Sequence, residues 1–126
     1  PSFEALLSTN HMISAGGICG IMIRAALTEQ APFLFLGASP DQIFLVTRDG
    51  TGKITNAPPR PLASKKAMKL HIFQTNDYVV SSYSFDGRNS AIFTNSFPKA
   101  DRAFVGLAIF PEASTNRTKA IFQNVK

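Results

Sequence analysis

The chain has 126 residues, 44% of them hydrophobic, which is the size of one domain and enough to enclose a core. Only 17% of the residues are charged, which argues against long charged helices and coiled coils. The net charge of +5 comes from 13 scattered basic side chains against 8 acidic ones. With Lys65, Lys66 and Lys69 the one cluster, no nucleic-acid partner is expected.

No run of 18 apolar residues and no signal-peptide pattern occurs, so no membrane partner is expected either. Eleven Phe, two Tyr and no Trp imply a phenylalanine-rich core. The first residue is Pro1, which reads as the start of a fragment or a processed chain.

Short apolar runs with period two, separated by turn residues, extend along the chain, and convincing helical stripes are absent. The predicted strands are Phe3 to Ser8, Ile18 to Leu27, Phe33 to Ala38, Gln42 to Arg48, Met68 to Thr75, Tyr78 to Phe85, Ala91 to Asn95, Ala103 to Phe110 and Lys119 to Val125. Short strands at this spacing indicate an all-β sandwich or barrel.

The second predicted strand raises a question, because the run GGICGIMIRAAL (Gly16 to Leu27) carries one arginine among apolar residues. Strand alternation puts Ile21, Ile23 and Ala25 on one face and Met22 and Arg24 on the other, so Arg24 need not be buried. A helix is weakened by Gly16, Gly17 and Gly20, since each interior glycine costs about 1 kcal/mol relative to alanine.

Four turns, SPDQ (Ser39 to Gln42), RDGTG (Arg48 to Gly52), TND (Thr75 to Asp77) and FDGRN (Phe85 to Asn89), combine residues that tolerate positive φ or cap their own backbone. Antiparallel hairpins follow. Between Ile54 and Lys66 the chain carries Pro58, Pro59 and Pro61, so this stretch is expected to be a surface connection and not an inner strand.

Catalytic chemistry is poorly represented, and no enzyme activity is expected. Asp41, Asp49, Asp77, Asp86 and Asp101 each stand beside a predicted turn, where a carboxylate ordinarily accepts local backbone hydrogen bonds. Glu4, Glu29 and Glu112 stand alone, and no strand carries the paired carboxylates that glycoside hydrolysis needs. His11 and His71 are too few for an all-histidine metal site. Asp41, Asp49 and Asp86 are the candidate oxygen ligands for a structural calcium ion, though without EF-hand spacing, and no other cofactor is expected. Cys19, the single cysteine, reads as a buried, inert thiol. Asn116-Arg117-Thr118 is a glycosylation sequon of the kind used in secreted eukaryotic proteins.

Taken in order, GGICGIMIRAAL, APFLFLGASPDQIFLVTRDGTGK, KLHIFQTNDYVVSSYSFDGRN, FVGLAIF and KAIFQNVK resemble the concanavalin A-like sandwich domains of the DUF1349 and β-xylosidase C-terminal type. The shared pattern is a G-x-M-x-R strand, an LG-x-x-P turn, an RDG-like turn, an L-x-I…Y-S-x-D-G hairpin, a VGL strand and a final F-x-N-V strand. The resemblance covers the chain from about Gly17 onward. It implies an antiparallel β-sandwich of jelly-roll type, with residues 1–126 as a single domain.

Such relatives usually have one or two strands ahead of the G-x-M-x-R strand. Only Phe3 to Ser8 precedes it here, so N-terminal strands are expected to be missing. Many relatives have an aromatic residue after the Y-S-x-D-G turn, where this chain has Arg88-Asn89-Ser90. The Glu-x-Asp-x-x-Glu signature of jelly-roll glucanases is also missing. The first departure argues against a sugar-stacking platform at that turn, and the second points to a non-catalytic role.

The resemblance implies a non-catalytic carbohydrate-binding or accessory module of a carbohydrate-active or cell-surface protein, in an extracellular or cell-surface setting. The ligand surface is expected on one sheet face or its rim, formed by Arg24, Arg48, His71, Tyr78, Tyr83 and Asn89. Aromatic faces pack on a pyranose, while guanidinium groups and amides donate to hydroxyls. Tyr78 and Tyr83 fall on opposite faces of one strand, so at most one belongs to that surface. The alternative for Arg24 and Arg48 is structural, holding turns or pairing with Asp49 or Asp86. The alternative function is a protein-interaction domain that docks on a neighbouring domain or subunit through an apolar sheet face.

Overall fold

In the computed structural model the described residues are 2–8, 18–39, 41–61, 68–75, 77–85, 88–98, 103–110 and 121–123. They form β1 (Ser2–Ser8), β2 (Ile18–Arg24), β3 (Phe33–Ala38), β4 (Gln42–Arg48), β5 (Ile54–Asn56), β6 (Arg60–Pro61), β7 (Met68–Gln74), β8 (Tyr78–Phe85), β9 (Arg88–Ser96), β10 (Phe104–Phe110) and β11 (Ile121–Gln123). All described pairings are antiparallel. One sheet, A, runs β11-β1-β7-β8-β9, and the other, B, runs β10-β2-β3-β4-β5 with β6 also pairing β4. The nested pairing of β1 with β11 and of β2 with β10 is a jelly-roll feature, and the molecule is an antiparallel β-sandwich.

The sandwich closes because alternate residues of each strand are apolar and point into one shared slab. Sheet B contributes Cys19, Ile21, Ile23, Leu34, Leu36, Ala38, Ile43 and Leu45; sheet A contributes Met68, Leu70, Ile72, Val79 and Tyr83. Burying one such aliphatic side chain stabilises by about 1.5–3 kcal/mol. Arg24, one position past Ile23, therefore points away from the core, as the alternation in GIMIR requires.

Gly20 and Gly37 are cross-strand neighbours on β2 and β3. A methyl group on Gly20 would run into the Leu36 carbonyl and the Gly37 Cα, which are backbone atoms and cannot swing aside. The Phe35 ring lies against Gly37, and Phe35 is only 1% exposed although it belongs to the outward-facing set of β3.

The turns differ from expectation in one detail. In SPDQ it is Ser39 Oγ, not the aspartate, that accepts the hydrogen bonds, from the backbone N–H groups of Asp41 (3.2 Å) and Gln42 (3.1 Å). In RDGTG the aspartate does act as expected. Asp49 Oδ1 accepts from Thr51 N, Thr51 Oγ1 and Lys53 N at 2.9, 2.6 and 3.0 Å, and Gly52 takes the positive φ of 88° that the reversal needs.

Several strand boundaries also move. β2 stops at Arg24, three residues before the predicted end, because the chain bends there and the Ala25 N–H bonds back to the Pro32 carbonyl at 3.0 Å. The proline-containing connection holds two short strands, β5 and β6, at the rim of sheet B, where Pro61 sits opposite Gln42 at a position that proline tolerates. β9 begins at Arg88, earlier than predicted. The register shift at Tyr83/Ser84 leaves Ser90 as the extra residue of a bulge.

Gly20→Ala is expected to lower the urea midpoint by the equivalent of about 1–3 kcal/mol, the usual cost of overpacking. Equilibrium unfolding followed by circular dichroism checks this, and an unchanged midpoint would mean that the β2–β3 spacing is not set by the glycine pair.

Candidate functional site: two sheet faces

The six residues expected to bind ligand do not share a surface. Arg24 and Arg48 lie on the outer face of sheet B, and His71 and Tyr78 lie on the outer face of sheet A. Tyr83 points inward and is 6% exposed, with its ring 6.2 Å from Phe85 and 6.3 Å from Phe93. Its membership of the core removes it from any ligand surface: the alternation that exposes Tyr78 turns Tyr83 in with Val79 and Ser81. Asn89 occupies the β9 position opposite Ser84, and its side chain lies outside the described residues, as do His11, Asp86 and the sequon.

On sheet B the two arginines hold the loop that joins β2 to β3. Arg24 donates through Nε to the Ala26 carbonyl at 3.3 Å and through Nη2 to the Thr28 carbonyl at 2.5 Å, while Nη1 faces the Met22 sulfur at 3.9 Å. Arg48 donates through Nη1 to the Glu29 carbonyl at 2.5 Å, and its guanidinium carbon sits 5.1 Å from the centre of the Phe33 ring. Among the described residues the oxygen acceptors of these two arginines are backbone carbonyls of the β2–β3 loop.

The same face also carries the exposed polar Gln42 and Asn56 and a larger apolar part. A depression of about 240 Å³ is lined, among the described residues, by Ile18, Phe33, Phe35 and Val46. A second, of about 190 Å³, lies beside Met22, Arg24, Leu27 and Phe104.

The outer face of sheet A has a different character. Register places Phe73, Val80 and Thr94 in one row and His71, Ser82 and Ile92 in the next, with Tyr78 opposite Ser96. Tyr78 is 51% exposed and Phe73 43% exposed. They occupy diagonal positions on adjacent strands, about 7–8 Å apart by ordinary sheet geometry. Thr94 and Ser96 are exposed beside them, and Lys69 and His71 supply the basic groups of β7, with Glu4 of β1 the register partner of His71. Strand period puts Phe73 on the face of His71, but the hydroxyls of β9 join that face only through cross-strand pairing, which no local pattern encodes.

Of the candidate calcium ligands, the described Asp41 and Asp49 do not converge. Asp41 and Asp49 stand at opposite ends of the seven-residue β4, roughly 20 Å or more apart at the rise of an extended strand. One ion cannot bridge them. Asp49 is occupied by its own turn: the Thr51 hydroxyl first, then the Lys53 N–H, hold its pKa below the usual carboxylate range. Among the described residues no group of three or more His, Cys, Asp or Glu side chains is placed to hold a metal ion.

Compared with known proteins, the chain matches no family model and no curated sequence.

Cys19 is fully buried, with its Sγ 3.9 Å from the Ala38 carbonyl, and burial pushes its thiol from 9.0 up to about 11. The neutral thiol is thus the folded form. Its contribution to stability is intact below pH 9.0, where the unfolded thiol is also protonated, and is lost as pH rises through about 11. Iodoacetamide at pH 8 is expected to leave Cys19 unlabelled in the native protein and to label it fully in urea, with mass spectrometry as the readout. Rapid native labelling would contradict the buried placement.

Proposed function

We propose that the chain is a non-catalytic carbohydrate-binding sandwich module whose glycan surface is the outer face of sheet A. The observation that carries this reading is the exposure of Tyr78 and Phe73 on neighbouring strands beside the hydroxyl-bearing Ser82, Thr94 and Ser96. Pyranose rings present C–H faces that pack on aromatic side chains, and their hydroxyls exchange hydrogen bonds with serine, threonine, imidazole and ammonium groups. An open face of this kind suits an extended chain held by several shallow contacts. The ordered motifs shared with concanavalin A-like domains support the same class, as an accessory module of a carbohydrate-active or cell-surface protein.

The apolar depression on sheet B favours a second reading, a packing surface for a neighbouring domain or subunit. Arg24 and Arg48 spend donors on their own loop, which leaves that face few polar groups for sugar hydroxyls.

Affinity electrophoresis against soluble xylan, β-glucan and pectin separates the two. Tyr78→Ala is expected to weaken retardation about tenfold, a loss of about 1.4 kcal/mol, with the circular dichroism spectrum unchanged and with Phe33→Ala binding like the parent. Sensitivity to Phe33→Ala but not to Tyr78→Ala would move the ligand to sheet B, and no retardation by any polysaccharide would overturn the carbohydrate reading.

A further inference from the structure

β9 forms one end of sheet A, and among the described strands none pairs with its outer edge. It spans nine residues, Arg88–Ser96, whereas the strand at the opposite end of sheet A, β11, spans three, and β5 and β6 in sheet B span three and two. Natural sheets normally blunt a long edge with lysine, proline or a bulge. From Asn89 to Ser96 the sequence NSAIFTNS has no charged residue and no proline, and the bulge is confined to the N-terminal end of the strand.

The direction of the backbone groups follows from one hydrogen bond. The Phe97 N–H donates to the Asp77 carbonyl at 2.8 Å, on the β8 side. Successive residues of an antiparallel strand present their N–H and C=O groups to alternate edges, so Phe93 and Asn95 serve the β8 ladder. Ile92, Thr94 and Ser96 present theirs to the outer edge. Ile92 is also 59% exposed, on the strand that offers these groups.

We propose that the outer edge of β9 pairs antiparallel with β9 of a second copy of this chain, joining two A sheets into one. Twofold pairing sets the stretch against itself, so each copy meets the same residues. A protein of net charge +5 tolerates this only where the paired segments carry no like charges, and the stretch from Asn89 to Ser96 carries none. β10, the edge of sheet B, is less suited because Gly106 interrupts it. The dimer sets the outer faces of two A sheets side by side, which would let one extended ligand chain engage both.

The test is sedimentation velocity on the full chain over a hundredfold concentration range, with Thr94→Pro as the first variant. Proline at position 94 removes an N–H that faces the outer edge and leaves the β8 ladder intact, so the fold should survive. The expected result is a concentration-dependent dimer for the parent and a monomer for Thr94→Pro with the parent circular dichroism spectrum.

Should Thr94→Pro fail to fold, Ile92→Lys serves in its place: it sets like charges beside the twofold, and dimerisation should fall at low salt and recover at high salt. A parent that stays monomeric throughout overturns the proposal, as does a dimer that persists in either folded variant at low salt. Protection of the Ile92, Thr94 and Ser96 amides from hydrogen exchange, lost on dilution, would support it independently.

Discussion

The structure depends on one constraint: alternate residues of strands in both sheets must enter a single apolar slab. A one-residue slip in any strand would send its buried set into water and bring its polar set inside, so the pairing of Ile21 with Leu36, or of Leu70 with Tyr83, is fixed by what each strand can afford to expose. The same alternation decides which side chains remain available to a ligand. Tyr78 and Tyr83, five residues apart on β8, have opposite fates for this reason alone, one at the surface and one against Phe85 and Phe93.

The arginine in GIMIR belongs to the outward set of β2, and its chemistry is local. A guanidinium group on an apolar face finds the strongest available acceptors in the carbonyls of the bend that follows its own strand, and Arg48 reaches the same loop from β4. Two cations thereby hold residues 25–32 over the edge of sheet B. The outer face of that sheet carries Ile18, Phe33 and Val46 together with the polar Gln42 and Asn56, whereas sheet A exposes aromatic rings among hydroxyl groups. The difference in character between the faces follows from which residues alternate outward on each sheet.

Much of this was legible in the sequence where periodicity and turn chemistry agreed. The bounds of β3 and β4 coincide with the predicted Phe33 to Ala38 and Gln42 to Arg48, because apolar runs there end at residues that must turn. β5 and β6 were illegible, since two or three residues carry no period and the prolines argued for a plain connection. The start of β9 leaves no periodic signal, because Arg88-Asn89-Ser90 is polar and the bulge breaks its alternation. The face of Arg24 could be read from its own strand, but its carbonyl partners leave no mark in the sequence. That Tyr78 and Tyr83 take opposite faces is legible from period two, but Val79-Ser81-Tyr83 and Tyr78-Val80-Ser82 are similar in composition, and only packing against sheet B selects the first as the inner set.

Amide chemical-shift mapping during titration with a bound polysaccharide tests the assignment of faces most directly, because every described strand reports at once. If the glycan lies on sheet A, the largest changes fall on His71, Phe73, Tyr78, Thr94 and Ser96, and the amides of Phe33, Phe35 and Val46 stay still. Changes centred on Phe33, Phe35 and Val46, with β7 to β9 unmoved, would contradict the account.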